Sequence, residues 1–105
     1  MSLPEVEFNR IVGIVSNWLD EAPTQHKAEF INMDKAKLIQ YHHSLGRDIR
    51  NEFGLWQYSW TPQLENGFDM SPDHPDAVSM RVIETVWEEA QHVWHLLFAH
   101  LRRLS

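Results

Sequence analysis

The chain has 105 residues, of which 43% are hydrophobic, and it carries a formal charge of −6. This length and apolar content predict one folded domain over residues 1–105, since a charge of this size does not keep a chain disordered. Acidic residues outnumber basic ones by 15 to 9, so nucleic-acid phosphates and anionic membrane surfaces would repel the molecule as a whole. Cysteine is absent, which excludes disulfides and thiolate metal sites.

The apolar runs are too short and too often interrupted by charge to cross a bilayer. The amino-terminal stretch MSLPEVEFNR lacks the basic segment followed by an apolar segment that marks a signal peptide. We therefore expect a cytoplasmic protein that binds neither membrane nor nucleic acid.

The spacing of apolar residues predicts an all-α fold with three main helices, at about residues 4–20, 34–53 and 75–103. In the first helix apolar side chains recur at steps of three and four from Phe8 to Leu19, and Pro23 ends the helix. Residues 23–33 are predicted to form a connector.

The second helix has an inward face whose members follow steps of three and four: Leu38, His42, Leu45, Ile49 and Phe53. Gly54 follows as a C-terminal cap. A histidine on such a face is more often a hydrogen-bonded core residue than a catalyst.

Residues 55–72 lack helical periodicity and contain turn-forming pairs such as Asn66-Gly67, so we expect a long loop. Its aromatic side chains, Trp56, Tyr58, Trp60 and Phe68, are predicted to anchor it to the core. The sequence leaves open whether the loop contains strands.

The last helix becomes apolar on nearly every side after Gln91, and a helix of that kind has to be covered on every side. We therefore predict a homodimer interface in its carboxyl-terminal half, formed by Val93, Trp94, Leu97, Phe98 and Leu101.

Three candidate ligand-binding residues share one face of the second helix, because His43, Arg47 and Arg50 are spaced i, i+4, i+7. Arginines in such an arrangement can bind a phosphate or a carboxylate through paired donors. The structural alternative is that Arg47 and Arg50 pair with acids such as Asp73, Asp76 or Glu84 and clamp the long loop.

The residues Glu88, His92 and His95 are also spaced i, i+4, i+7, and Glu89 with His92 forms a Glu-x-x-His pair. Carboxylate-bridged di-iron bundles use two such pairs with further carboxylates. The chain holds no second pair, so a metal site would need a second copy of the protein.

Enzyme motifs are missing from the chain. It contains no G-x-S-x-G elbow, no phosphate-binding glycine loop and no H-E-x-x-H zinc motif. We therefore expect no cofactor and favour a protein that is not an enzyme.

Two segments, HHSLGRDIRNEFGLW at residues 42–56 and HPDAVSMRVIETVW at residues 74–87, carry a resemblance to a known family. They resemble a family of small uncharacterised bacterial proteins with an IRNxxGLW segment followed by an HPDxxSM segment. No activity is implied. The matching positions are Arg50, Asn51, Gly54, Leu55, Trp56, His74, Pro75, Asp76 and Ser79.

Two hypotheses follow. The first is an interaction protein of the bacterial cytoplasm that works as a homodimer and binds a basic protein partner.

The second hypothesis is a small-ligand or catalytic site in the cleft between the second helix, the loop and the last helix. In that site the arginines would bind an anion, His43 would act as acid or base, and Trp56 would stack on a ring. The residues assigned to it are His43, Arg47, Arg50, Asn51, Trp56, His74 and Asp76.

Overall fold

The computed structural model describes the backbone of residues 3–104 and the side chains of residues 3–93. The described residues form four α-helices, two 3₁₀ helices and one hairpin. In chain order they are α1 (Glu5–Glu21), α2 (Thr24–Ile31), a 3₁₀ helix (Lys35–Tyr41), α3 (Leu45–Glu52), a second 3₁₀ helix (Leu55–Gln57), β1 (Leu64–Glu65), β2 (Phe68–Asp69) and α4 (Pro75–Leu104). The fold is mostly helical, as predicted, but it is neither strictly all-α nor built from three helices.

The first and last helices lie where the sequence predicted them. α1 ends at Glu21 because Ala22, the residue before Pro23, is extended with φ −67° and ψ 154°. α4 begins at Pro75, whose missing amide hydrogen costs nothing in the first turn. A proline therefore sets the end of α1 and another sets the start of α4, and both can be read from the sequence.

The connector predicted at residues 23–33 contains a helix, α2. Pro23 precedes this helix, and its carbonyl accepts a hydrogen bond from the Lys27 amide at 3.0 Å. A helix of eight residues is not stable on its own propensity and depends on packing. Phe30 supplies that packing, since it is buried and contacts the Tyr41 ring edge-to-face with ring centroids 5.3 Å apart.

The second predicted helix is broken in two, which is a correction to the sequence interpretation. Residues 35–41 form a 3₁₀ helix, and α3 begins only at Leu45. Ser44, at the break, has the non-helical angles φ −108° and ψ −87°. Its hydroxyl lies 3.5 Å from the Tyr41 carbonyl, which is the local side-chain bonding that makes serine a poor residue for a helix interior.

Residues 55–72 are more ordered than a simple loop. Gly54 adopts the left-handed conformation expected of a C-terminal cap, with φ +58°. The chain then forms a 3₁₀ turn and a hairpin in which Leu64 pairs with Asp69 and Glu65 with Phe68. Asn66 and Gly67 both have positive φ, as a type I′ turn requires. The strands are too short to have produced an alternating pattern in the sequence.

The hydrophobic core lies between α1, α3 and the first half of α4. Its buried members are Ile11, Val12, Val15, Phe30, Leu38, Ile49, Leu55, Val78, Val82, Ile83 and Val86. α4 is the central element, since α1, α2, α3 and both 3₁₀ helices contact it. Within residues 3–104, no helix combines the length and the apolar character needed to cross a membrane.

Candidate functional site

Arg50 is buried at the centre of the region that the sequence analysis singled out. Its Nη1 donates a 3.0 Å hydrogen bond to the Ser79 hydroxyl, and its Nη2 donates to the His42 carbonyl at 3.2 Å. Its Nε lies 3.5 Å from a carboxylate oxygen of Asp76. These contacts join α3 to the break before it and to the first turns of α4. The expected pairing of Arg50 with Asp76 is present.

The space that Arg50 occupies is created by Gly46. A β-carbon at Gly46 would lie 3.0 Å from Arg50 Nη1 and 3.4 Å from the Tyr41 carbonyl. Ser79 completes the arrangement, because its hydroxyl accepts from Arg50 and donates to the Asp76 carbonyl at 2.9 Å. The Ser79 hydroxyl therefore makes one hydrogen bond as acceptor and one as donor, and buried polar groups generally have such partners.

Two histidines flank Asp76 without bonding to its carboxylate. His42 Nε2 and His74 Nδ1 each lie 3.9 Å from Asp76 Oδ2, which is beyond hydrogen-bonding range. His74 Nδ1 instead accepts a 3.0 Å hydrogen bond from the Asp76 amide, so in this arrangement the ring carries its proton on Nε2. His42 is partly buried on the inward face. Its Nδ1 has no hydrogen-bond partner among the described side chains.

The remaining polar residues of the ligand-binding hypothesis, His43, Arg47 and Asn51, are exposed on the surface. The His43 ring packs edge-to-face against His42, with centroids 4.9 Å apart. Two cavities among the described side chains, one between α1, α2 and α4 and one between α1, α2 and α3, are lined by other residues. The structure thus brings Arg50, His74 and Asp76 together and leaves Arg47 and Asn51 apart from that cluster.

Trp56 belongs to an aromatic cluster with Trp60 and His74. The ring centroids are 5.5 Å apart for Trp56 and His74, 5.2 Å for Trp60 and His74, and 6.2 Å for the two tryptophans. All three pairs meet edge-to-face, which is a favourable geometry for aromatic rings. The cluster holds the segment that follows α3 against the start of α4, but more than half of Trp56 remains exposed.

Asp69 organises the hairpin. Its carboxylate accepts hydrogen bonds from Trp60 Nε1 at 2.9 Å, from the Ser71 amide at 3.0 Å and from the Gln63 amide at 3.1 Å. These bonds, with the indole donor the strongest, lower the pKa of the Asp69 carboxyl. The indole donor was missed, because the spacing of Trp60 and Asp69 has no recognisable pattern.

The structure describes the side chains of two of the three proposed metal ligands, Glu88 and His92. Glu88 and His92 are exposed, and Glu88 bonds to Lys35 Nζ at 2.7 Å. Among the side chains of residues 3–93, no three metal-ligating groups come together. His95 lies outside the described side chains, so its place relative to Glu88 and His92 stays a prediction.

A groove of about 630 Å³ runs between α1, α2 and α4. It is lined mainly by apolar and small side chains, with Asp20, Lys27 and Glu89 among its polar members. The apolar members include Leu19, Ile31, Val86, Ala90 and Val93. Val93 is 55% exposed and is the first of the predicted interface residues. The others, Trp94, Leu97, Phe98 and Leu101, lie outside the described side chains.

Comparison with known proteins identifies a family but no activity. A family model described as a domain of unknown function matches residues 15–90, which includes both segments that carry the resemblance. No curated protein and no solved structure matches the chain. The prediction that the protein belongs to an uncharacterised family is confirmed: the chain is a member of the family of the domain of unknown function DUF6794.

Proposed function

We propose that this protein is a non-enzymatic interaction module of the bacterial cytoplasm, and that it works as a homodimer assembled through the carboxyl-terminal half of α4. The observation that carries the proposal is the apolar groove between α1, α2 and α4, whose lining includes the exposed Val93. From that residue onward the sequence of α4 is apolar on nearly every side. We infer that the groove and this apolar segment are buried together against a second copy, because large apolar surfaces mark interaction sites.

The length of the helix supports this assignment. The last hydrogen bond that the described side chains make between α4 and the rest of the protein joins Gln91 Nε2 to the Ile31 carbonyl. α4 continues to Leu104, which at about 1.5 Å per residue is roughly 16 Å beyond Val93. Packing this segment against its equivalent in a second copy would give the self-complementary interface that a two-fold dimer uses.

The size of the apolar segment is also adequate. Its proposed interface residues are Val93, Trp94, Leu97, Phe98 and Leu101. Two of them, Trp94 and Phe98, are aromatic, and aromatic side chains bury about 150–250 Å² each, which is a substantial share of the roughly 800 Å² per partner of a specific interface. The segment after Glu89 contains no acidic residue, so two copies would not bring carboxylates together there.

We favour this function over the small-ligand alternative because of Arg50. Its guanidinium donors are directed at Ser79, His42 and Asp76 within the protein. An anion site at this position would have to rely on Arg47 and His43, which are exposed and line neither described cavity. Exposed charges bind weakly because water screens them.

Sedimentation velocity of Leu97→Asp tests the proposal. We expect the wild-type chain to sediment as a dimer and Leu97→Asp as a monomer or as a precipitate, since a buried carboxylate without a partner is strongly unfavourable. Val6→Asp is the matched control, because Val6 is 82% exposed on α1, and it should leave the dimer intact. An unchanged mass and unchanged solubility for Leu97→Asp would refute the proposed interface.

A further inference from the structure

The hairpin region exposes more large apolar side chains than any other described part of the molecule. Phe68 is 71% exposed and Leu64 is 72% exposed, and Met70 and Trp56 are each more than half exposed. We call these four residues the hairpin surface. Large exposed apolar patches on a folded protein mark interaction sites. Aromatic residues and methionine are enriched at such sites.

Hydrogen bonds and ring contacts tie the hairpin surface to the rest of the fold. The Asn66-Gly67 turn fixes the register of the strands, and the Met70 amide donates to the Gln63 carbonyl at 2.7 Å. Asp69 joins the hairpin to Trp60, which packs on Trp56 and His74. Binding would therefore not require the protein to order a mobile loop, and a preorganised surface loses less entropy when a partner docks.

Phe68 and Leu64 lie on opposite faces of the hairpin. The register pairs Leu64 with Asp69 and Glu65 with Phe68, and residues paired across two strands share a face. The hairpin therefore presents apolar groups on both sides. A partner segment that wraps over it would contact Leu64 on one side and Phe68 on the other.

The charge of this region indicates what the partner carries. Residues 51–80 contain no lysine or arginine and five acids, Glu52, Glu65, Asp69, Asp73 and Asp76, of which Asp76 is paired with Arg50. An aspartate is ordinarily ionised at neutral pH, and the hydrogen bonds to Asp69 lower the pKa of its carboxyl further. Opposite charge attracts a partner during diffusion and excludes wrong ones. A second copy of this chain would bring like charges together at the same surface, and a nucleic acid or an anionic membrane would be repelled.

We propose that the hairpin surface binds a basic, amphipathic segment of another protein, with apolar side chains of that segment packed on Phe68 and Leu64 and its lysines or arginines near Glu65 and Asp73. The proposal rests on the proposed function in that the protein acts by binding. It does not need the dimer, because the hairpin surface and the carboxyl-terminal half of α4 involve different residues.

The test uses isothermal titration calorimetry with three synthetic peptides. The first is an amphipathic peptide of lysine and leucine, the second has glutamate in place of lysine, and the third has serine in place of leucine. We expect the wild-type protein to bind the first peptide at least about tenfold more tightly than either control. Equal binding of all three peptides, or binding of none, would overturn the proposal.

Variants locate the binding. Phe68→Ser should weaken binding of the lysine and leucine peptide at least about tenfold. Val6→Ser removes an apolar side chain from α1 that is also largely exposed, and it should leave binding unchanged. Glu65→Gln together with Asp73→Asn should weaken binding and reduce its dependence on salt. If Phe68→Ser binds as wild type does, the hairpin surface is not the site.

The oligomeric state separates this proposal from the dimer. Leu97→Asp should bind the peptide as the wild type does even if it is monomeric. If Phe68→Ser instead converts the protein to a monomer, the hairpin surface is a contact between copies and its assignment to a basic partner is wrong. A monomeric wild-type protein that still binds the peptide through Phe68 would refute the dimer and leave the hairpin proposal standing.

Discussion

Arg50 Nη1 donates a 3.0 Å hydrogen bond to the Ser79 hydroxyl, and this bond crosses from α3 to α4 between residues 29 positions apart in the chain. Both side chains are buried. A guanidinium in such a place is tolerated only when its donors have acceptors, since an unpaired buried charge is strongly unfavourable. The bond therefore explains why an arginine occupies a position that the helical spacing alone would place at the edge of the inward face.

Removing Arg50 should destabilise the fold. We expect Arg50→Ala to lower the free energy of unfolding by about 1 to 3 kcal/mol, because Ser79, the His42 carbonyl and Asp76 each lose a partner. Chemical denaturation measures this change. Arg47→Ala is the control, since Arg47 is exposed on the same helix, and it should change little. If the denaturation midpoint of Arg50→Ala were within error of wild type, the contacts of Arg50 would not stabilise the fold.

The coupling between Arg50 and Ser79 can be measured directly. Ser79→Ala leaves Arg50 Nη1 without its acceptor, and we expect it to cost about 1 to 3 kcal/mol of unfolding free energy. In the double variant with Arg50→Ala the two losses should overlap, so that their sum exceeds the measured change by about 1 kcal/mol. Fully additive losses would mean that the two side chains do not stabilise each other.

Gly46→Ala and Gly13→Ala should act in opposite directions. Replacing a helical glycine with alanine ordinarily stabilises a helix by about 0.5 to 1 kcal/mol, and a β-carbon at Gly13 would meet nothing within 4 Å. At Gly46 the same β-carbon would lie 3.0 Å from Arg50 Nη1, so we expect a loss of about 1 to 2 kcal/mol. Thermal denaturation of the pair checks this, and stabilisation by both substitutions would contradict the packing at Arg50.

Asp69 should make the hairpin sensitive to acid. Its hydrogen bonds lower the pKa of its carboxyl below the ordinary value of 3.8, so its stabilising effect is complete above that value. The effect is lost as the pH falls through the lowered pKa. Asp69→Asn should therefore be less stable than wild type at pH 7, and the difference should narrow on acidification. Denaturation midpoints across the pH range measure this, with Glu65→Gln as the control. If the stability difference between Asp69→Asn and wild type did not change with pH, the charge of Asp69 would not be what stabilises the hairpin.

The sequence predicted those parts of the fold that depend on local spacing. α1 and α4 were placed correctly, because their apolar periods are long and proline marks a boundary of each. The break at Ser44 was missed, since the apolar spacing from Leu38 to Phe53 continues across it. α2 was missed because a short helix depends on tertiary packing.

The candidate site was predicted only in part. The pairing of Arg50 with Asp76 was among the expected alternatives, since the loop and the last helix supply several acids. Its bonds to Ser79 and to the His42 carbonyl depend on the break in the helix, which no spacing indicated. The hairpin was signalled by Asn66-Gly67 alone, and its exposed Phe68 and Leu64 were not recognised as a surface.

Native mass spectrometry of the purified protein at micromolar concentration tests whether the protein is a homodimer. One spectrum reports how many copies associate and whether a metal or a small molecule is retained. We expect a dimer, at twice the chain mass of 12.4 kDa, with no added mass. A monomer would contradict assembly through α4. A retained anionic molecule that is lost in Arg47→Ala would contradict the interaction module and support the ligand site.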